Sequence, residues 1–167
     1  MRSFYINLLL YFGLIILICS CGQKEIVSYT GPKVTHVEVF KAKRIMFVYH
    51  KDKLLKKYPI DLGFGSAGAK RFEGDGKTPE GRYFINWHNP KSRFTLSLGI
   101  SYPNDRDKAY AKSTGRSPGG DIFIHGQPNS GRTRKSDWTA GCIALKNKHI
   151  REIYEMVENN TEISIFP

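Results

Sequence analysis

From Val34 onward, apolar side chains recur at every second residue in short runs separated by turn-forming residues. A period of two belongs to strands with one buried face, so the expected fold is mainly β. The run "VTHVEVF" (34–40) sets Val34, His36 and Glu38 against Thr35, Val37 and Val39. "RIMFVYH" (44–50) and "LLKKYPIDLGF" (54–64) flank Lys51-Asp52-Lys53, a connection short enough for a hairpin. "GRYFINWHN" (81–89), "RFTLSLGISY" (93–102), "GDIFIH" (120–125) and "TEISIF" (161–166) continue the series. One helix interrupts it: Ile150, Ile153, Tyr154 and Val157 fall at i, i+3, i+4 and i+7, with Asn147 the candidate N-cap and Asn159-Asn160 the end.

The opening "MRSFYINLLLYFGLIILICSC" has one charge, Arg2, then an apolar stretch from Leu8 to Ile18. A positive start before an apolar run of this length reads as a secretory signal; an uncleaved N-terminal anchor is the alternative. Small Ser20 before Cys21 resembles a bacterial lipobox, whereas bulky Ile18 before Cys19 fits it poorly. Residues 1–20 are thus expected to be a lipoprotein signal peptide, Cys21 the lipidated residue and 21–33 a tether. Residues 34–167 form one domain, exported and membrane-anchored, facing the periplasm or cell envelope. Of the three cysteines, Cys142 then remains the lone thiol, which excludes a disulfide framework and marks a candidate reactive group.

Other classes drop out on spacing and charge. His36, His50, His88 and His149 are scattered without the short ligand spacings that zinc requires, so neither metal nor other cofactor is expected. The glycine-rich stretch 65–81 lacks the Gly-Lys-Ser/Thr of a phosphate-binding loop, and Asp75, Thr78 and Glu80 in it read as turn-formers. The formal net charge of +11 is spread over many segments rather than gathered into a nucleic-acid arm. An exported basic surface would meet lipid headgroups and a carboxylate-rich wall instead.

Cys142 follows Ala140-Gly141, and seventeen residues upstream His125 closes an apolar run on the same strand face as Phe123. The polar loop between them exceeds ordinary hairpin length, and long ordered loops are usually functional. Free cysteine is commonly just a small buried residue. An imidazole able to take its proton would instead make it a nucleophile.

"IHG", a polar loop, then "TAGCIAL" resembles the signature of the L,D-transpeptidase (YkuD-like) family, and "GDGKTPEGRYFI" (74–85) resembles its upstream element. "RIMFVYHKDKLLKKYPIDLG" (44–63) is similar to its opening hairpin and "FTLSLGISYPNDRD" (94–107) to a segment of one of its branches. The resemblance implies a β-sandwich-like catalytic domain over 34–167 with one packed C-terminal helix. It implies acyl transfer on peptidoglycan stem peptides through a Cys142 thioester. His125 would be the base, the Gly126 carbonyl its orienting acceptor, and the N–H groups of Gly141 and Cys142 the oxyanion donors. Trp138, Asp137, Arg134 and Tyr102 are the candidate substrate contacts; by themselves Tyr102 and Trp138 read as wall or core rather than a stacking site, and Arg134 as a solvated loop charge rather than a carboxylate binder.

Two positions depart from the family pattern: Ala140 replaces the histidine before Gly-Cys, and Ala144 replaces an arginine or asparagine. Asp137 and Trp138 are candidates to take over part of that duty. A thiol amidase on the same scaffold and a non-catalytic wall-binding module stay open beside the transpeptidase. The oligomeric state is not legible.

Overall fold

The computed structural model describes residues 29–65, 67–131 and 135–167, so the expected leader, Cys21 and Arg134 lie outside the described residues. In chain order the elements are β1 (His36–Phe40), β2 (Ile45–His50), β3 (Lys53–Pro59), β4 (Gly81–Asn89), β5 (Ser97–Ile100), α1 (Asp105–Ser113), β6 (Phe123–His125), β7 (Ile143–Ala144), α2 (Asn147–Met156) and β8 (Glu162–Phe166). The strands form one sheet in the order β3-β2-β1-β8-β4-β5-β6-β7. Pairing is antiparallel except for β1 with β8 and β6 with β7.

The two edges of this sheet meet. Beyond β3 the chain crosses to the far edge, where Asp61 bridges Ala144 and Gly63 bridges Thr139. An open edge leaves a row of backbone groups unpaired; here Asp61 exchanges both of its backbone hydrogen bonds with Ala144, at 2.9 and 2.8 Å. The closure brings the first third of the chain against the segment that carries Cys142.

Alternation does what its period requires. Val37 and Val39 of β1, Met46 and Val48 of β2, Tyr83 and Ile85 of β4 and Ile163 and Ile165 of β8 all enter the core. The apolar stripe of α2 joins them through Ile150, Ile153 and Met156. Tyr58 of β3 fixes this helix, donating to Glu152 Oε2 at 2.8 Å. Burying the two or three such side chains that each element contributes is worth several kcal/mol, at about 25 cal/mol per Å² of apolar area.

Three sequence expectations need correction. The hairpin connection is Lys51-Asp52, with Lys51 in the left-handed region (φ 51°), because Lys53 already pairs with His50. Asn147 is the first residue of α2 rather than its cap: Lys146 holds the cap position, and Asn147 Oδ1 accepts the Gln127 N–H at 2.7 Å instead. A second helix, α1, stands where no helix was expected. It starts in a capping box, with Asn104 accepting from Asp107 N–H while Asp107 accepts from Asn104 N–H. Asp107 also accepts from Tyr83 Oη at 2.9 Å, tying α1 to β4.

Candidate active site

His125 ends β6 and is fixed from both sides, with Ser97 of β5 and Ala144 of β7 as its cross-strand partners. Paired strands present paired residues on one face. Cys142, one residue ahead of β7, therefore falls beside Phe123 and diagonal to His125 on that face. The Phe123 N–H lies 3.4 Å from Cys142 Sγ, and the thiol lies 3.4 Å from the Asp121 carbonyl oxygen that can accept its proton. Cys142 and His125 line one cleft of about 500 Å³.

The histidine's tautomer follows from its partner. His125 Nδ1 is 2.7 Å from the Gly126 carbonyl oxygen, which can only accept, so Nδ1 carries the proton and Nε2 keeps its lone pair. The ring is buried, with Phe94 at 4.5 Å and Trp138 at 5.5 Å between ring centroids. Burial draws the His125 pKa below its ordinary value, and the Gly126 bond offsets only part of that. Burial also pushes the Cys142 thiol up, with the Phe123 N–H opposing, the Asp121 charge adding to the rise and Lys70 working against it. At neutral pH the resting pair is a neutral thiol beside a neutral imidazole, which suits general-base activation during attack rather than a standing ion pair.

Glycines permit the two turns around these groups. Gly141 has φ 133°, and a Cβ there would sit 2.6 Å from the Lys77 carbonyl oxygen. At Gly126 a Cβ would meet Asn147 Oδ1 at 2.7 Å and the Phe94 carbonyl oxygen at 2.8 Å. Of the two expected oxyanion donors, the Gly141 N–H points to Thr139 Oγ1 at 3.2 Å, a long bond. Thr139 Oγ1 in turn donates to the Cys142 carbonyl at 2.7 Å, so this hydroxyl braces the turn before the thiol.

The glycine-rich stretch 65–81 supports that turn from below. Thr78 Oγ1 accepts the Gly63 N–H at 3.1 Å. Burial pushes the Asp75 carboxyl up, but the N–H groups of Arg71, Phe72 and Lys77 and the Lys70 ammonium outweigh it and hold it below the usual carboxylate range. Lys41 Nζ, itself buried, bonds Glu80 at 2.7 Å and the Gly68 and Thr78 carbonyls. These groups shape the loop.

Of the substrate contacts named from sequence, Trp138 lines the cleft. Asp137 does not: its carboxylate takes a fork of bonds from Arg44 at 2.7–3.0 Å and the Leu62 N–H at 2.9 Å. Tyr102 packs edge-on to Tyr83 and donates to the Pro118 carbonyl, away from the cleft. Arg134 lies outside the described residues. Sequence reading missed Lys91, Arg93, Phe94 and Asp121, which do line the cleft. The Asn89-Pro90 turn ahead of the first three was the available signal. Among the described residues no group of three metal-ligating side chains converges.

The molecule falls in the class of mainly β domains whose cysteine and histidine face one cleft across adjoining strands. Residues 34–165 match the YkuD family, the L,D-transpeptidase catalytic domain, and the chain belongs to that family. It is 30% identical over 158 residues to YafK of Escherichia coli (strain K12), whose name assigns it provisionally to the L,D-transpeptidases. That match covers 87% of this chain and 58% of YafK. The structure is similar to Pgp2 of Campylobacter jejuni, a helical cell shape determining protein, at 28% identity and TM-score 0.64 over 86% of this chain and 51% of that one. It is also similar to Bd1075 of Bdellovibrio bacteriovorus, at 27% identity and TM-score 0.59 over 80% and 48% of the two chains. The chain thus spans about half the length of these relatives.

Proposed function

We propose that this domain is a cysteine-dependent acyltransferase acting on peptidoglycan stem peptides. The observation that carries the reading is a single cleft holding Cys142 and His125, with the imidazole's tautomer set by the Gly126 carbonyl. In the first step Cys142 Sγ attacks the scissile carbonyl carbon while its proton passes to His125 Nε2. The oxyanion meets backbone N–H groups at the Gly141-Cys142 turn. Collapse expels the amine, which takes the proton from His125, and leaves a thioester. An acceptor then attacks, gives its proton to His125, and returns the thiol.

A second reading, hydrolysis of the thioester by water, is favoured by Ala140. It is exposed and lines the cleft, so a methyl group stands where family members carry a second imidazole. The leader-like start and Ser20-Cys21 support placing this chemistry in the cell envelope on a lipid anchor.

The test is mass spectrometry of the protein incubated with stem tetrapeptide, with and without an amine acceptor. A mass adduct mapped to Cys142 is expected, together with a transferred or hydrolysed product. Cys142→Ala should abolish both while remaining folded. Turnover near that of the parent in Cys142→Ala would sink the proposal.

A further inference from the structure

Among the described residues lining the cleft, Lys91 and Arg93 carry positive charge and Asp121 carries negative charge. Asp121 sits at the thiol, its carbonyl against Cys142 Sγ. The two cations come from a different wall, the irregular segment between β4 and β5. That segment is held by side chains rather than by a strand ladder. Asn89 Oδ1 accepts the Lys91 N–H at 3.0 Å, and Ser92 Oγ accepts the Phe94 N–H at 3.1 Å. Asn129 then clasps it from outside, accepting from the Thr95 N–H and donating its amide to the Ser92 carbonyl and its backbone N–H to the Arg93 carbonyl. The Gly126 N–H reaches the Phe94 carbonyl at 2.9 Å, which joins this wall directly to the His125 turn.

The backbone under Lys91 and Arg93 is thus fixed relative to the imidazole, yet both side chains are exposed and neither forms an ion pair among the described residues. The cations that brace the neighbouring loops are matched instead: Lys41 with Glu80, Arg44 with Asp137, Lys70 with Asp75. A fixed wall with two unmatched cations facing a cleft suits an anionic ligand, and a guanidinium suits a carboxylate in particular, which it can hold by two parallel bonds. Asp121 on the thiol side repels the same group, so the ligand's charge fixes its direction in the cleft.

We propose that Lys91 and Arg93 form a carboxylate subsite that holds the free carboxylate of the stem peptide and orients its scissile bond toward Cys142. This rests on the stem-peptide reading above and assigns the recognition of charge to the β4–β5 wall.

The experiment measures binding to the folded Cys142→Ala protein, by NMR titration, of a soluble stem tetrapeptide and of its fully amidated analogue. The acid should bind more tightly than the amide. Lys91→Gln/Arg93→Gln should weaken acid binding roughly tenfold, as expected for loss of a charge-assisted hydrogen bond, and leave amide binding unchanged. Arg93→Lys in place of Arg93→Gln should restore part of the loss. Equal weakening for both peptides, no weakening, or no preference for the acid in the parent overturns the subsite. If Cys142→Ala prefers the acid in this way but the protein with Cys142 intact never forms an adduct there, the acyltransferase reading falls and the subsite stands.

Discussion

The two halves of the candidate pair are held in different ways. His125 belongs to a regular ladder, with β5 on one side and β7 on the other, and its ring is packed between aromatic neighbours. Cys142 precedes a strand of only two residues, and its turn is built from groups far away in sequence. The Lys77 carbonyl leaves no room for a Cβ at Gly141, Thr78 holds Gly63, Gly63 bridges Thr139, and Arg44 locks Asp137. The base is placed by secondary structure and the nucleophile by a web of loop contacts. Substitutions should therefore separate: those at the histidine should alter chemistry alone, and those at the thiol's turn should alter chemistry and stability together.

After loss of the thiol itself, the largest effect is expected at the histidine. His125→Gln keeps a polar side chain that can still bond Gly126 but supplies no base, and the rate of acylation should fall by about 10²- to 10⁴-fold. Circular dichroism and melting temperature should change little, since the ladder survives. In the parent, kcat/KM should rise with pH as the imidazole loses its proton. Burial lowers that pKa, so the rise should lie below the ordinary imidazole value and the base should already be neutral at pH 7. A limb above pH 7 assigned to His125, or a mutant as active as the parent, would contradict this placement.

The same contrast explains what was legible in the sequence. The strands β1, β2, β4, β6 and β8 and the helix α2 alternate or repeat at their proper periods, and a local pattern is enough to read them. Helix α1 buries only Asp107 and Ala111, so it has no apolar stripe to find; the Asn104-x-x-Asp107 cap was its one local trace. Strand β7 is too short to have a period, and its pairing with Asp61 depends on the sheet closing. His125 and Cys142 were legible because they sit in a motif with a family resemblance. Asp137 was misplaced for the opposite reason: its partner Arg44 lies 93 residues away, and no local pattern announces that bond. Lys91 and Arg93 were missed because an exposed cation in a turn looks alike whether or not a cleft lies beneath it.

A smaller effect than at His125, but on two readouts at once, is expected from Gly141→Ala. Its φ of 133° disfavours any side chain, and the new Cβ would have to push the Lys77 carbonyl away from 2.6 Å. A stability loss of about 1–3 kcal/mol is the usual range for such strain. The displaced turn should also misdirect the thiol, lowering activity by roughly ten- to hundredfold, since a misplacement of about 1 Å can cost that much. Denaturant unfolding and turnover measured on the same sample decide it. Lost activity with unchanged stability would mean that the turn is not braced by the 65–81 stretch.

The smallest expected effect is a change of product rather than of rate, and it arises at Ala140. This residue is exposed on the cleft one position ahead of Gly141, so a larger side chain can enter without disturbing the brace beneath. An amine acceptor is mostly protonated at neutral pH and must shed a proton before attacking the thioester, whereas water need not. In the thioester His125 is free to take one proton from the acceptor. Among the described residues lining the cleft it is the lone imidazole, so none is left to strip the ammonium beforehand. The parent should therefore give a larger share of hydrolysed product than a protein with a base at this position. Ala140→His supplies one, and the ratio of transferred to hydrolysed product should rise about two- to fivefold at fixed acceptor concentration, a difference of under about 1 kcal/mol between two barriers. Mass spectrometry of the products from parent and mutant reads the ratio directly. If the parent already transfers almost exclusively to the amine, water is not the favoured acceptor, and the exposed methyl at Ala140 has no bearing on the partition. If instead the ratio rises while the rate of acylation holds, the cleft separates its two tasks: His125 activates the thiol, and the residue before Gly141 chooses what receives the acyl group.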